Sequence, residues 1–189
     1  MRIKRFAYCA ALVLFFTTGS FAQSVKVKSV YTKLDEKSCK TLESSTENTG
    51  WYRGECAGVG GYKLQITEGD IRQSIDVRTP NKKRFELNFT GNVSSAFSYV
   101  GAKTEWRVIR KGKRFVPIAL IVRFDASENP EDATKTTSYL VVTKITKKEI
   151  CITNVIKPTA KANEEARQLA DLAATKPCKS SENQISQLH

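Results

Sequence analysis

The chain has 189 residues, a formal net charge of +12, five cysteines and one histidine, at position 189. That length is the size of one domain and can bury a single core. With no internal histidine to serve as base, Ser-His and Cys-His nucleophile pairs are excluded, and histidine-based metal centres fall for the same reason.

Arg2, Lys4 and Arg5 precede an apolar run over 6–16, and small residues follow as far as Ser20-Phe21-Ala22. Basic start, short apolar middle and small residues at the end describe a secretory signal peptide over 1–22, cleaved after Ala22. The run is shorter than the roughly 20 residues of a membrane anchor, and no later segment approaches that length, so no transmembrane anchor is expected. Cys9 would leave with the signal, and the net charge would drop to about +9. Four cysteines remain, Cys39, Cys56, Cys151 and Cys178. In an exported chain an even count reads as disulfides with three possible connectivities. The sequential pairing, Cys39–Cys56 and Cys151–Cys178, is favoured because each pair flanks one local unit. Each bridge would contribute about 3 kcal/mol. No CxxC pair is present, so zinc is disfavoured, and no metal or cofactor is implied.

In chain order, 35–40 reads as a polar turn around Cys39 and 44–50 as a loop with nothing apolar to bury. "WYRGEC" and "YKLQIT" read as strands on either side of Gly58, Gly60 and Gly61. "IRQSIDVR" alternates, with Ile71, Ile75 and Val77 on one face and Arg72, Ser74, Asp76 and Arg78 on the other, the period of a half-buried strand. Gly69 before it supplies the positive φ of a tight hairpin. Residues 79–84 form a turn with a basic end, after which Phe85, Leu87 and Phe89 alternate as a further strand. "EWRVIR" and "FVPIALIVRF" flank a Lys111-Gly112 hairpin signature. The apolar run over 115–122 predicts a central, doubly covered strand, and Pro117 predicts a bulge or edge position within it. The polar segment 125–136 is a mobile loop, and "SYLVVTKIT" pairs with "EICITNVI" through Lys147-Lys148. Ala166, Leu169, Ala170 and Ala173 make the stripe of an amphipathic helix, with Glu164 and Glu165 in its first turn and Pro177 as its stop. The organisation is a signal peptide over 1–22, one domain over 23–178 and a disordered tail over 179–189. Strands first and helix last give an α+β fold, a mostly antiparallel sheet of hairpins with one C-terminal helix packed on it.

"YTKLDEKSCKTLE", "GWYRGECAGVGGYKLQITEGDIRQ" and "ANEEARQLAD…C" together resemble small exported proteobacterial proteins of uncharacterised function. The resemblance covers most of the mature chain. It implies a periplasmic or secreted setting and carries no catalytic residue.

The glycines of "CAGVGGYK" lie between two strands, where no helix N-terminus receives a phosphate, so they read as a turn. The stronger signal is charge. In "WRVIRKGKRF", Arg107, Arg110, Lys111, Lys113 and Arg114 surround one hairpin tip, and the flanking Trp106 and Phe115 suit stacking. Lys82, Lys83 and Arg84 form a second basic knot, and Lys144, Lys147 and Lys148 a third. Three basic turns on one sheet make a positive end that attracts anions; the bland alternative is that they keep sheet edges soluble. The leading expectation is a monomeric, non-catalytic binding domain whose partner is an anionic envelope polymer or another envelope protein. Nucleic acid suits the compartment poorly. Two alternatives stay open. One is a small exported enzyme acting on an envelope sugar or peptide through carboxylates such as Glu68, Asp70 or Glu105. The other is an inhibitor or stress-related partner of another secreted protein.

Overall fold

The computed structural model describes residues 26–35, 37–47 and 50–179. The signal segment and the part of the tail beyond 179 lie outside the described residues. Ten strands form one sheet: β1 (Val27–Lys33), β2 (Cys39–Ser45), β3 (Trp51–Ala57), β4 (Lys63–Gly69), β5 (Arg72–Arg78), β6 (Arg84–Glu86), β7 (Ser98–Lys111), β8 (Arg114–Ala126), β9 (Thr137–Ile145) and β10 (Ile150–Ile156). A short helix α1 (Phe89–Asn92) precedes β7, and α2 (Ala162–Asp171) with a 3-10 turn (Ala173–Thr175) closes the described chain. The strand order is β10-β9-β8-β7-β5-β4-β3-β2, with β1 added to β7 and β6 to β5. Every pairing is antiparallel except the single Arg72–Ser98 contact of β5 with β7. The class is α+β.

The sheet folds over on itself, β10 reaching β6 and β1 reaching β3. One core fills the space between the leaves. It takes Cys56, Leu64, Ile66, Ile75 and Val77 from one side, and Val100, Trp106, Leu120, Val122, Phe124 and Val141 from the other. The alternation of β5 therefore works as expected at Ile75 and Val77. Ile71 escapes it: the residue is 59% exposed, because it sits in the β4–β5 turn. The positive φ of that turn falls on Asp70 (51°) and Ile71 (56°) and not on Gly69.

β8 is covered on both faces, as its apolar run requires. Leu120, Val122 and Phe124 point into the core, while Ala119 and Ile121 point to the outer face. There Ala162, Ala166, Ala170 and Ala173 of the C-terminal segment meet them, small side chains letting the helix lie close to the sheet. Pro117 stands at a register shift, since Arg107 opposes Ala119 and Val108 opposes Pro117. Ile118 is the extra residue, which relieves the ladder of the missing N–H.

Other segments depart from the pattern. The β6 strand stops at Glu86, because Asn88 adopts φ 46° and its side chain accepts from Gly91 N, starting α1. Leu87 and Phe89 are buried nonetheless, and Phe89 meets Phe124 edge to face with centroids 5.1 Å apart. The turn before the first cysteine is confined to 35–38, where Asp35 Oδ1 accepts from Ser38 N at 2.9 Å, and β2 then runs through residues expected to be turn and loop. α2 ends at Asp171, well before Pro177. Lys179, placed in the tail by sequence, donates its amide to Ile152 O at 2.7 Å.

The two disulfides are Cys39–Cys56 and Cys151–Cys178. The first joins residues directly opposite each other on β2 and β3, and the second ties the end of the helical segment to β10. Two such bridges suit an oxidising, extracytoplasmic environment. Among the described residues no helix is long and apolar enough to cross a membrane.

Two outcomes follow from this packing. A Cβ on Gly58 would stand 2.6 Å from Tyr62 O and 2.7 Å from the Trp106 ring, whereas one on Gly69 meets nothing within 4 Å. Gly58→Ala should therefore lower stability by about 1–3 kcal/mol in urea unfolding, and Gly69→Ala by less than about 0.5 kcal/mol. Asp171 receives Arg107 through two bonds of 2.7 Å. Asp171→Ala should cost about 1–2 kcal/mol in the same assay, because it removes two charge-assisted bonds from a buried guanidinium that keeps Glu105 Oε1 at 3.5 Å.

Candidate anion-binding site

Four hairpin turns gather at one end of the folded sheet: 58–62 between β3 and β4, 79–83 between β5 and β6, 112–113 between β7 and β8, and 146–149 between β9 and β10. The glycine turn lies among the others. Gly58 N donates to Tyr62 O and Tyr62 N to Val59 O, both at 3.1 Å, with Gly60 and Gly61 at φ 65° and 84°. A Cβ on Gly60 would stand 2.9 Å from Phe115 O, and one on Gly61 3.4 Å from the Pro80 ring. Glycine is needed at Gly60 twice over, for its φ and for this close approach.

Tyr62 stands between two grooves. One, of about 540 Å³, runs along Val59, Gly60, Arg114, Phe115 and Pro117. The other, of about 260 Å³, is bounded by Pro80, Lys83, Phe85, Thr146 and Lys147. The β5–β6 and β9–β10 turns are thus neighbours, and the β7–β8 hairpin flanks the same tyrosine.

Arg110, Lys111, Lys113 and Arg114 are all exposed on the β7–β8 tip. Lys82, Lys83, Lys147 and Lys148 are exposed on the two adjoining turns. Among the described residues none of these eight has a carboxylate within ion-pairing distance. Arg110 donates to Gly112 O at 2.9 Å, and Lys83 Nζ lies 4.6 Å from the Phe85 ring centroid. The contrast with other arginines is sharp. Arg53, Arg72, Arg78, Arg84, Arg107 and Arg167 each pair with a carboxylate, and Arg123 donates to Ser138 Oγ. Unpaired cations crowded on one end sum to a positive potential that paired ones would cancel.

The candidate patch loses two of its six residues to the interior. Trp106 is fully buried, its indole Nε1 donating to Thr32 Oγ1 at 2.9 Å, and has no face to offer a ligand. Arg107 is 8% exposed and holds Asp171 of α2 with Nε and Nη2. The bond to Asp171 raises the Arg107 pKa. Strand alternation explains both: Trp106 points into the core, and Arg107 points outward beneath the helix. The other basic knots shed a member each. Lys144 is buried, paired with Glu149 at 2.5 Å and donating to Lys176 O. Arg84 turns onto Glu86 and Asp76. Tyr62, passed over in the sequence, and Phe115, 43% exposed, are the aromatics left beside the cations. An aromatic after a double glycine was the available signal for Tyr62.

The carboxylates considered for catalysis are engaged elsewhere. Glu68 accepts from Gln73 Nε2 at 2.6 Å, and Asp70 pairs with Arg72 in the exposed β4–β5 turn. Glu105 is 9% exposed. Burial alone would raise its pKa, but hydrogen bonds from Arg167 and Ser29 outweigh that and lower it. All three serve as ties between strands, turn and helix.

Comparison with protein-family models, curated proteins and solved structures finds no match for this chain.

Asp76 gives this face a pH dependence. It is 5% exposed, and burial pushes its pKa up to about 6, against the pull of Arg84 at 3.7 Å. A raised carboxyl pKa stabilises the fold at low pH, and that contribution is lost as pH rises towards 6. Asp76→Asn should therefore be more stable than the parent at pH 7, by about 1–2 kcal/mol. The advantage should shrink to nothing near pH 4 in thermal melts run across that range.

Proposed function

We propose that this is a monomeric, non-catalytic binding domain of the periplasm or the secreted fraction, and that its basic end engages an anionic envelope polymer or an acidic envelope protein. The supporting observation is the gathering, from three turns around the glycine turn and Tyr62, of eight exposed cations that have no carboxylate partner among the described residues. Disulfides fit such a compartment, and the "CAGVGGYK" and "ANEEARQLAD" segments resemble exported proteobacterial proteins.

The chemistry is that of a polyanion bound by distributed charge. Lysines and arginines on separate hairpins present cations at several points, so a chain carrying repeated phosphates, sulfates or carboxylates can engage several at once. Tyr62 and the exposed Phe115 add flat apolar surface along the groove, suited to a sugar ring. Screening weakens such contacts, because these groups stand in solvent.

Retention on heparin resin and on immobilised lipopolysaccharide tests this. Reversing Arg110, Lys111, Lys113 and Arg114 to glutamate should lower the eluting salt and weaken binding at 150 mM salt by about tenfold or more. Reversing Lys82, Lys83, Lys147 and Lys148 should act in the same direction. A control reverses four exposed lysines elsewhere, Lys40, Lys157, Lys161 and Lys179. If the control elutes as early as the tip variants, retention follows net charge and the basic end is only a solvated surface.

A further inference from the structure

A second site lies away from the basic end, where β7 leaves β5 and takes up β1. The β5 contact is at Ser98, and the β1 ladder begins at Lys103. Between them the register of β7 against β8 shifts between Val100 and Thr104, and a Cβ on Gly101 would stand 2.9 Å from Arg123 Cβ. The gap opens as a cleft of about 940 Å³. Leu34, Ile66 and Val100 line it, all buried members of the main core. A cleft of this volume is large enough for a small organic molecule.

The polar groups on its wall are ordered. Gln73 Oε1 accepts from Val100 N at 2.8 Å, and its Nε2 donates to Glu68. Tyr52 lies across Gly54, where a Cβ would stand 2.1 Å from the phenol oxygen. That hydroxyl is buried and has no partner among the described residues. The rim carries Lys33, Lys37 and Arg123, none paired with a carboxylate among the described residues, together with Asp35 and Asp125. The Asp35 carboxylate is taken up by Ser38 N at 2.9 Å.

From an apolar floor, the rings of Tyr52 and Tyr99 on the wall and a cationic rim, we infer that this cleft binds a small amphipathic organic anion. Its apolar body would lie over Leu34, Ile66 and Val100, and its acidic head would face Lys33, Lys37 and Arg123. The site is separate from the basic end, whose cations stand beyond the far end of β7.

Fluorescence titration with 8-anilinonaphthalene-1-sulfonate, an amphipathic sulfonate, tests the assignment on the folded, oxidised protein. Saturable binding at one site per chain is expected. Ala102→Trp, which fills the cleft from its exposed rim, should abolish it, and Ser38→Trp should do so from another wall. Lys33→Glu with Arg123→Glu should weaken it at least fivefold, and the neutral N-phenyl-1-naphthylamine should bind correspondingly less well. The variant reversed at Arg110, Lys111, Lys113 and Arg114 should bind the dye like the parent. Circular dichroism melts establish that each variant is folded at the titration temperature. The assignment is overturned if the parent shows no saturable binding, if the folded tryptophan variants bind unchanged, or if only the basic-end variant loses the dye. Equal affinity for the neutral probe, with no effect of the rim reversals, rules out recognition of an anion.

Discussion

Between Ser98 and Lys111 one long strand is shared by both leaves of the sheet. β8 occupies one of its sides from end to end, while the other side passes from a single parallel contact with β5 to a seven-residue ladder with β1. A strand cannot hold two neighbours on the same side at the same height. The two leaves must therefore diverge along β7, and the Gly101 irregularity is where they part. From that geometry come the closed core around Trp106, the cleft beside Gly101 and the clustering of four hairpin turns at the far end. Trp106 holds the arrangement inside, packed against Gly58 of one leaf and bonded to Thr32 of β1.

The outer face of the same strand fixes the helix. A ten-residue helix is marginal alone, and the alanine stripe of α2 buries little area per residue. Its position is set by ties at several points: Arg167 to Glu105, Arg107 to Asp171, and Cys151 to Cys178 just beyond it. Charged pairs of this kind contribute little net stability once desolvation is counted, yet they specify one docking geometry, since any slip strands a buried charge. Arg107 and Glu105, which look in sequence like parts of a functional surface, are used for that purpose.

Period-2 alternation made β5 legible, the continuous apolar run did so for β8, and the glycine and lysine turn signals did so for β4 and β9. The even cysteine count and their spacing led to the observed disulfide pairing. β1 was not legible, since Val27, Ser29, Tyr31 and Lys33 on one face mix apolar, polar and charged residues: that face meets the Glu105 and Arg107 cluster and not a hydrocarbon core. The strand expected through Phe89 failed because Asn88 can take a left-handed conformation and cap α1, a local hydrogen bond that outweighs apolar alternation. At the candidate site, charge density pointed to the right hairpin. It could not tell Arg107 from Arg110, because that difference depends on a helix arriving some sixty residues later in the chain. The cleft beside Gly101 left no trace in the sequence, since its wall is assembled from six separate strands and the turn after β1.

Whether the basic turns do more than keep the sheet soluble depends on where the edges are. Cations discourage edge-to-edge association when they lie along an unpaired strand. Here one end of the sheet is β2, which carries a register shift between Thr41 and Glu43 and a disulfide to its neighbour. The other end is β10, whose Ile152 carbonyl is taken by Lys179 N. The eight cations, unpaired among the described residues, lie on neither β2 nor β10. They occupy hairpin tips, where the backbone has already turned back and no ladder is left open. Repulsion between neighbouring molecules explains a lysine on an edge strand such as β2. It does not explain four cations around one tip, Arg110, Lys111, Lys113 and Arg114 on either side of Gly112, facing two further lysine-bearing turns across a groove floored by Tyr62. Gathering like charges at one end costs repulsion at every pair, and an anion arriving there relieves it.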